Sequence, residues 1–230
     1  MPVLDLPLPF IPDGSARPGP ARNADDTTLD GLFVATASRP EDVASEWGQL
    51  EKFGSVPFSN SAWVNAWYEA HRDDPNVSPL IVVGKAASGE PHFLLPLVRE
   101  RRGPFTVIVW PGGTHSAYHC GLFSPECRAL VTPDNAKIFW ARVFGALPRA
   151  DALALYGLPS FEIERRNPLS YLPLLECGCA SYRLALSQDW DALYTSKTSA
   201  KMRSNDRRSE RRLAQHGALR FRVAQTREER

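Results

Sequence analysis

Apolar and polar positions along the chain change their spacing several times, and each change marks a predicted element. Residues 1–30 are rich in Pro, Gly, Ala and Asp without a sustained period, so we expect a flexible leader. Residues 32–36 then have the composition of a short strand. Ser38 and Glu41 form a capping box, with Pro40 between them, which predicts the start of a helix.

Two helices are predicted in the next segment. The first has one apolar face, formed by Val43, Trp47 and Leu50. Gly54 follows where a left-handed C-terminal cap is expected. The second helix should begin after Ser59 or Asn60. Its predicted buried residues are Trp63, Trp67 and Ala70.

β-Strand patterning follows the helices. Residues 79–85 and 92–100 are predicted to form a hairpin around the Ser-Gly pair at 88–89, with the second strand interrupted by Pro96. Residues 105–110 form a third strand. The hairpin and the third strand together predict an antiparallel sheet.

One more helix and one more strand complete this part of the chain. The helix is capped by Thr132 and Pro133, and its apolar residues are Ile138, Phe139, Val143, Phe144 and Leu147. Residues 152–158 return to strand patterning. The element order predicts an α/β (α+β) fold, a mixed sheet with flanking helices.

Composition and charge narrow the function classes. Of the 230 residues, 43% are hydrophobic, which is enough for a sizeable core. The formal net charge of +1 gives no general attraction to nucleic acid or to anionic lipid. No apolar run approaches the roughly 20 residues that a membrane span needs, and residues 1–20 lack a secretory signal. We therefore expect a cytoplasmic protein with no membrane span.

Cysteine and histidine spacing indicates neither disulfides nor a metal. The four cysteines form no regular framework, so reduced thiols are expected. A metal site would have to combine His115, His119, Cys120 and Cys127. These residues lie in a Gly-rich stretch without a recognised ligand spacing, so we predict no metal.

Residues 196–223 are strongly basic. A helix ending near Gly217 carries Lys201, Arg203, Arg207, Arg208, Arg211 and Arg212. Beyond it, alternating apolar residues predict a strand, with Leu219, Phe221 and Val223 on one face. The segment is therefore expected to form a helix followed by a strand.

Three interpretations of this basic helix are open. It can be a solvated helix in which Asp206 and Glu210 offset the arginines. It can be an anion site, in which Arg203, Arg207 and Arg211 hold a phosphate or carboxylate of a substrate. Nucleic-acid binding is the third, although the near-neutral chain and the lack of interleaved aromatic residues count against it.

Three segments resemble those of one known family. Residues 58–71, FSNSAWVNAWYEAH, are similar to its early Phe-x-x-x-x-Trp-x-x-x-Trp helix, and residues 92–102, HFLLPLVRERR, to one of its strands. Residues 196–223 resemble its Arg-rich segment. The family is that of the BioF2-like (CelD-like) acetyltransferases of the GNAT superfamily. The predicted element order is also that of the GNAT fold.

The resemblance implies the first lobe of a tandem-GNAT, Fem-like arrangement at residues 31–190. Residues 191–230 would open a second lobe. The implied activity is acetyl-CoA-dependent transfer of an acyl group to the amine of a small polar or sugar acceptor, with exopolysaccharide biosynthesis as the expected context. A capping box at residues 226–229 predicts the start of a further helix, but the sequence ends at Arg230. We therefore expect the chain to be truncated within that second lobe.

The acyl-CoA site is expected to be missing. A GNAT domain holds the pyrophosphate on a Gly-rich turn at a helix N-terminus. The corresponding turn here, residues 111–113, lies about twenty residues before the helix predicted near Pro133. We therefore expect no cofactor-binding residue in this chain, acetyl-CoA bound by the missing lobe, and no acetyl transfer by the chain alone.

No catalytic residue can be assigned from the sequence. Direct attack of an amine on a thioester needs a base and N–H groups that stabilise the oxyanion. Tyr118, His119 and Glu100 are candidates for lining a cleft. The alternative function is a non-catalytic module in which the basic helix binds a polyanion or a partner protein.

Overall fold

The structure is a computed structural model that divides into two compact units, Met1–Gly178 and Cys179–Arg230. The residues that it describes are 29, 31–162, 165–173 and 184–226. Apart from Leu29, the predicted leader lies outside them, as does most of the capping box at 226–229. Leu29 is fully buried, and its carbonyl accepts a hydrogen bond from Arg142.

Within the described residues, the first unit contains an open, mostly antiparallel sheet of six strands. The strands are β1 (Phe33–Ala37), β2 (Val77–Lys85), β3 (Pro91–Arg102), β4 (Phe105–Val109), β5 (Leu122–Phe123) and β6 (Ala152–Ala154). Their spatial order is β1-β2-β3-β4-β6, and β5 also pairs with β3. β6 is parallel to β4, whereas the other pairs are antiparallel.

Helices flank this sheet, which confirms the predicted mixed sheet with flanking helices. They are α1 (Ala44–Glu51), α2 (Ser61–Ala70), α3 (Pro125–Leu130) and α4 (Ala136–Gly145). Short 3-10 turns occupy Pro40–Val43, Pro57–Ser59, Gly113–His115 and Pro168–Tyr171. A separate small hairpin joins β7 (Phe161–Glu162) to β8 (Arg165–Arg166). The sequence did not predict α3, β5 or this hairpin.

The central strand β3 is apolar on both faces, because a helical layer covers each face. Phe93, Leu95 and Leu97 pack with α3 and α4 on one side. Leu94 and Val98 pack with α1 and α2 on the other. Successive side chains of a strand point to opposite faces, so this continuous apolar run serves both cores at once.

Hydrogen bonds from two buried aromatic residues hold α1 and α2 in position. The indole N–H of the buried Trp47 donates to the Ser59 carbonyl at 3.2 Å. The hydroxyl of Tyr68 donates to the Leu97 carbonyl at 2.8 Å. Burial raises the pKa of Tyr68 far above its usual value, so this hydroxyl stays protonated and remains a donor.

The α3–α4 layer is built from stacked and edge-on rings. Phe139 lies edge-on to Phe93, with ring centroids 5.5 Å apart, and Trp140 lies edge-on to Phe123 at 6.5 Å. The Trp140 indole N–H donates to the Pro168 carbonyl at 3.2 Å, so its polar edge is satisfied. This layer fixes the 3-10 turn at Pro168–Tyr171 against α4.

The predicted capping box of the first helix is wrong. Pro40 starts a 3-10 turn, not an α-helix, and α1 begins only at Ala44. Arg39 occupies the N-cap of that turn without a capping bond, and its Nε donates to Asp42 at 3.1 Å. The side chain of Ser38 therefore lies too early in the chain to cap the helix.

The predicted buried face of α2 is also wrong in detail. Asn60 caps the helix as expected, accepting from the Ala62 N–H at 2.9 Å. The fully buried positions are Val64 and Tyr68, while Trp63 and Trp67 are only partly buried and Ala70 is exposed. The helix is rotated by about one residue from the prediction, which places the tryptophans at the edge of the layer.

Pro96 does not interrupt β3, contrary to the sequence prediction. It pairs with Ile81 of β2 inside a continuous strand. The described pairs of β3 with β4 begin at Val98, and those with β5 end at Leu94. Pro96 thus lies at a gap between β4 and β5, where a residue without an N–H is tolerated.

The second unit, as far as it is described, is helical. It contains α5 (Trp190–Lys197) and α6 (Ala200–Ala214), and Ser199 caps α6 by accepting the Met202 N–H at 3.2 Å. The predicted basic helix is α6, but the predicted strand at 219–223 does not form. No other strand of the described part of this unit is present to pair with it, and Phe221 is 91% exposed.

We predict that Gly84→Ala destabilises the first unit. A Cβ on Gly84 would lie 2.0 Å from Cε1 of Phe93, its cross-strand partner. The overpacking should lower the free energy of unfolding by about 1–3 kcal/mol in urea titrations. Gly48→Ala is the control: a Cβ there meets nothing within 4 Å, so this helical position should become slightly more stable. Equal effects of the two substitutions would contradict the packing described for β2 and β3.

Candidate functional site

The strongest candidate site lies where β4 and β6 end. These strands run parallel, so their carboxyl ends meet at the same edge of the sheet, the position at which ligands bind in many sheets with parallel strands. Trp110 directly follows β4. Tyr156 and Gly157 follow β6 after one further residue.

Residues 116–120 are fixed in place beside these strand ends. The His119 N–H donates to the Gly157 carbonyl at 2.8 Å, which joins the segment to the chain after β6. The hydroxyl of Ser59 donates to the Cys120 carbonyl, which joins it to the turn before α2. The site is therefore built from three separate parts of the chain.

Aromatic rings surround this segment. The His119 ring stacks on Trp110, with centroids 5.4 Å apart and planes 7° from parallel. Tyr156 lies edge-on to His119 at 6.2 Å, and Phe58 lies at the same distance. Phe58 in turn contacts the edges of two more rings, those of Trp63 and Tyr118.

Three buried polar side chains follow β4 and form what we call the polar cluster: Trp110, Ser116 and His119. Trp110 and His119 stack on each other, and Ser116 Oγ lies beside Gly112, next to Trp63. Trp110 Nε1, Ser116 Oγ and both ring nitrogens of His119 have no hydrogen-bond partner among the described residues. Native proteins rarely leave buried polar atoms unpaired, and each such atom costs about 1–3 kcal/mol. Several unpaired polar groups in one segment lower the stability of the fold, and such features are typical of functional sites.

Gly112 is required by the geometry of the cluster. Its φ of +100° lies in the left-handed region that favours glycine. A Cβ at this position would lie 2.1 Å from Ser116 Oγ and 2.4 Å from Cη2 of Trp63. Only glycine therefore allows the backbone to pass between these two side chains.

His119 is neutral at physiological pH. Burial lowers its pKa from 6.5 to about 4, because desolvation penalises the charged imidazolium. A neutral imidazole offers one N–H donor and one nitrogen acceptor. The polar cluster therefore provides donors and an acceptor without formal charge.

The structure brings together two of the three cleft candidates named from sequence. Tyr118 and His119 both contact Phe58 at the site. Glu100 instead forms an ion pair with Arg102, at 2.6 Å between Oε2 and Nη2. Burial raises the pKa of the Tyr156 hydroxyl, and the charge of Glu100 nevertheless adds to this effect.

The predicted anion contacts Arg203, Arg207 and Arg211 lie on α6, in the second unit. Arg203 donates to the Thr195 carbonyl at 3.1 Å and also to the Thr198 carbonyl, so it ties α6 to the end of α5. Nε of Arg211 donates to the Arg207 carbonyl at 3.3 Å. Arg203 thus has a structural task, and the anion role of all three residues stays a prediction.

A second contact within this unit also joins α5 to α6. Tyr194 donates its hydroxyl proton to Oδ2 of Asp206 at 2.5 Å, and this hydrogen bond raises the pKa of Tyr194. Asp206 is one of the two acids expected to offset the basic residues of α6. It is therefore already engaged by α5.

The described residues contain no group of three or more His, Cys, Asp or Glu that could hold a metal ion. Of the residues considered for such a site, Cys120 and Cys127 are buried thiols without a disulfide. Burial raises the pKa of Cys127 to about 12, so this thiol stays protonated. Among the described helices, none has the length and apolar content needed to cross a bilayer.

Comparison with known proteins adds no family assignment. No family model matches the chain, and neither characterised proteins nor solved structures show significant similarity to it. The class of the protein is therefore defined by its own structure, an α/β protein with a mostly antiparallel sheet and an uncharged polar cluster at the ends of its parallel strands.

Sequence reasoning missed three residues of the site. Trp110 was assigned only to the end of a strand, and Ser116 and Tyr156 were not singled out. The available signal was the Pro-Gly-Gly turn directly after Trp110, because adjacent glycines often mark a close approach of the backbone. That signal indicates where the loop lies, but not which other residues of the site pack against it.

We predict that His119 makes the stability of the first unit depend on pH. Its pKa is lower in the folded than in the unfolded chain, so the unfolded chain binds more protons between pH 6.5 and about 4. Stability must then fall as the pH is lowered through this range, by about 2 kcal/mol from pH 7 to pH 5 for this residue alone.

His119→Phe should remove this contribution and leave stability at pH 7 equal or higher, because an apolar ring replaces an unpaired polar one. Urea unfolding of both proteins at pH 5 and pH 7 measures the difference, with His216→Gln as a control for the loss of an exposed histidine. An unchanged pH dependence in His119→Phe would show that the ring is not buried and unpaired.

Proposed function

We propose that this protein belongs to an acyl-transfer system of the GNAT type, which transfers an acyl group from acetyl-CoA to the amine of a small polar or sugar acceptor. The observation that carries the proposal is the order and pairing of its elements. β1, α1, α2 and the antiparallel β2–β4 are followed by a helical crossover through α4 to β6, which is parallel to β4. This is the order that the sequence resemblance implies, with β5 and α3 as an insertion.

The proposed reaction needs no covalent enzyme intermediate. The lone pair of a neutral amine attacks the thioester carbonyl, the C–N bond forms, and the C–S bond breaks. Coenzyme A leaves as the thiolate, and the proton lost by the amine passes through a base or the solvent to that sulfur, which gives the thiol. We assign no residue of the described chain to that base.

We further propose that the first unit contributes the acceptor side of such a system. Gly112 and Gly113 lead into the 3-10 turn Gly113–His115, whereas α4 begins only at Ala136. The backbone N–H groups of this turn are therefore not at the start of an α-helix, where a pyrophosphate would be held. This geometry supports a substrate wall in preference to a donor site.

The test is calorimetric titration with acetyl-CoA, combined with a thiol-release assay over a panel of amines. We expect no micromolar binding by the 230-residue chain, and binding with thiol release by any longer product of the gene that adds a Gly-rich donor turn. Micromolar binding by this chain would overturn the acceptor-side role. Absence of thiol release from every gene product would overturn acyl transfer.

The second candidate function is polyanion binding by α6. No residue of this helix is buried, and its basic side chains include Arg207, Arg208, Arg211 and Arg212. Acidic residues on the same helix are Asp206, which Tyr194 already binds, and Glu210. Exposed guanidinium groups at this density can contact several phosphates.

Inorganic polyphosphate is the probe for this alternative. If α6 binds it, affinity should fall steeply with salt, and the pair of substitutions Arg207→Gln and Arg211→Gln should make the slope of log K against log salt shallower by about 1–2. Arg39→Gln, an exposed arginine of the first unit, should leave the slope unchanged. An equal effect of all three substitutions would indicate non-specific attraction and count against this function.

A further inference from the structure

Four buried polar atoms in the segment that follows β4 have no hydrogen-bond partner among the described residues. They are Trp110 Nε1, Ser116 Oγ, and Nδ1 and Nε2 of His119. Each of the three residues is at least nine-tenths buried. A buried donor or acceptor is normally satisfied by protein, by water or by a ligand. No described residue satisfies these atoms, which leaves them open to water or to a ligand.

The chemistry of these atoms defines what that partner can be. The indole offers a donor, the hydroxyl a donor and an acceptor, and the neutral imidazole one of each. No nearby charge contributes to the lowered pKa of His119, whose cause is burial alone. A charged group beside His119 would therefore lose its hydration without gaining a counter-ion there. The charges of Glu100 and Arg102 act on the partly exposed Tyr156 instead.

The walls of the site are aromatic. His119 and Trp110 form one stack, and Phe58, Tyr118 and Tyr156 contribute further rings. Rings of this kind favour flat or ring-shaped ligands with apolar C–H faces. Tyr156 is 43% exposed, so the site reaches the protein surface at this residue.

The site is also held rigidly. Gly112 passes between Ser116 and Trp63 with no space for a Cβ, and the His119 backbone is bonded to Gly157. Support from three parts of the chain is what a binding site needs if its polar atoms are to keep their positions without a ligand.

We infer that the polar cluster binds an uncharged, hydroxyl-bearing ring, such as a neutral sugar, which reaches Trp110, Ser116 and His119 when the Tyr156 ring turns aside. Its hydroxyl groups supply the missing partners, and its C–H face packs on the aromatic walls. Binding of such a ligand needs neither an amine nor an acyl donor, so the inference rests on the residues of the site alone and is separate from the proposed transfer.

The experiment is saturation-transfer NMR on the whole chain at pH 7, with glucose and N-acetylglucosamine as neutral probes and glucuronate as the charged one. We expect transfer to the neutral sugars and none to glucuronate at the same concentration. Ser116→Ala and His119→Phe should each weaken binding about tenfold, since each removes a hydrogen-bond partner. Both should keep or raise the urea midpoint, because each also removes an unpaired buried group.

Ser170→Ala is the matched control, because the Ser170 hydroxyl is likewise buried and unpaired among the described residues but lies outside the cluster. It should leave sugar binding unchanged. The inference is overturned if no neutral sugar binds at tens of millimolar, if glucuronate binds equally well, or if Ser116→Ala and His119→Phe bind as the unchanged chain does. Sugar binding without acyl transfer would remove only the proposed function, and acyl transfer without sugar binding would remove only this site.

Discussion

The structure depends on the burial of β3 on both faces. Phe93, Leu95 and Leu97 belong to one core and Leu94 and Val98 to the other, so one strand supports both helical layers. Neither layer can pack unless this strand is in register with β2. The register places Gly84 opposite Phe93, where only the absence of a side chain makes room for the ring. Hydrophobic burial on both faces of a single strand thus holds α1, α2, α3 and α4 against the sheet.

The candidate site differs from that core in the hydrogen bonding of its buried polar groups. Elsewhere in the first unit, the buried side chains of Trp47, Tyr68 and Trp140 each donate to a backbone carbonyl. At the ends of β4 and β6, Trp110 and His119 stack on each other with their nitrogens unpaired. The indoles of Trp47 and Trp140 have partners, whereas the indole of Trp110, in the same unit, has none among the described residues. This contrast distinguishes side chains whose hydrogen bonds stabilise the fold from side chains whose polar atoms are available to a ligand.

Sequence patterns correctly predicted the elements that depend on neighbouring residues in the chain. They failed for features that depend on tertiary contacts, such as which face of a helix is buried. Strand patterning located β2, β3 and β4 to within a few residues, and Asn60 was a correct cap. The buried face of α2 was misjudged, because Trp63 is amphipathic enough to lie at a layer edge beside Phe58. Pro96 was misjudged because the gap between β4 and β5 is not visible in the sequence. The candidate site brings residues after β4 and after β6 together with the turn before α2, and no local sequence pattern indicates that these segments meet.

The gap on β3 has a consequence for protein engineering. β4 ends at Val109 and β5 begins at Leu122, and both pair with the same edge of β3. Residues 110–121 are therefore a loop whose two ends are clamped by one rigid strand. Most of this loop is buried, and Gly112 has no room for a side chain, so the loop cannot be replaced as a whole without loss of core packing. The exposed positions His115 and Ala117 are where substitutions can change the surface that the first unit presents while the sheet stays unchanged.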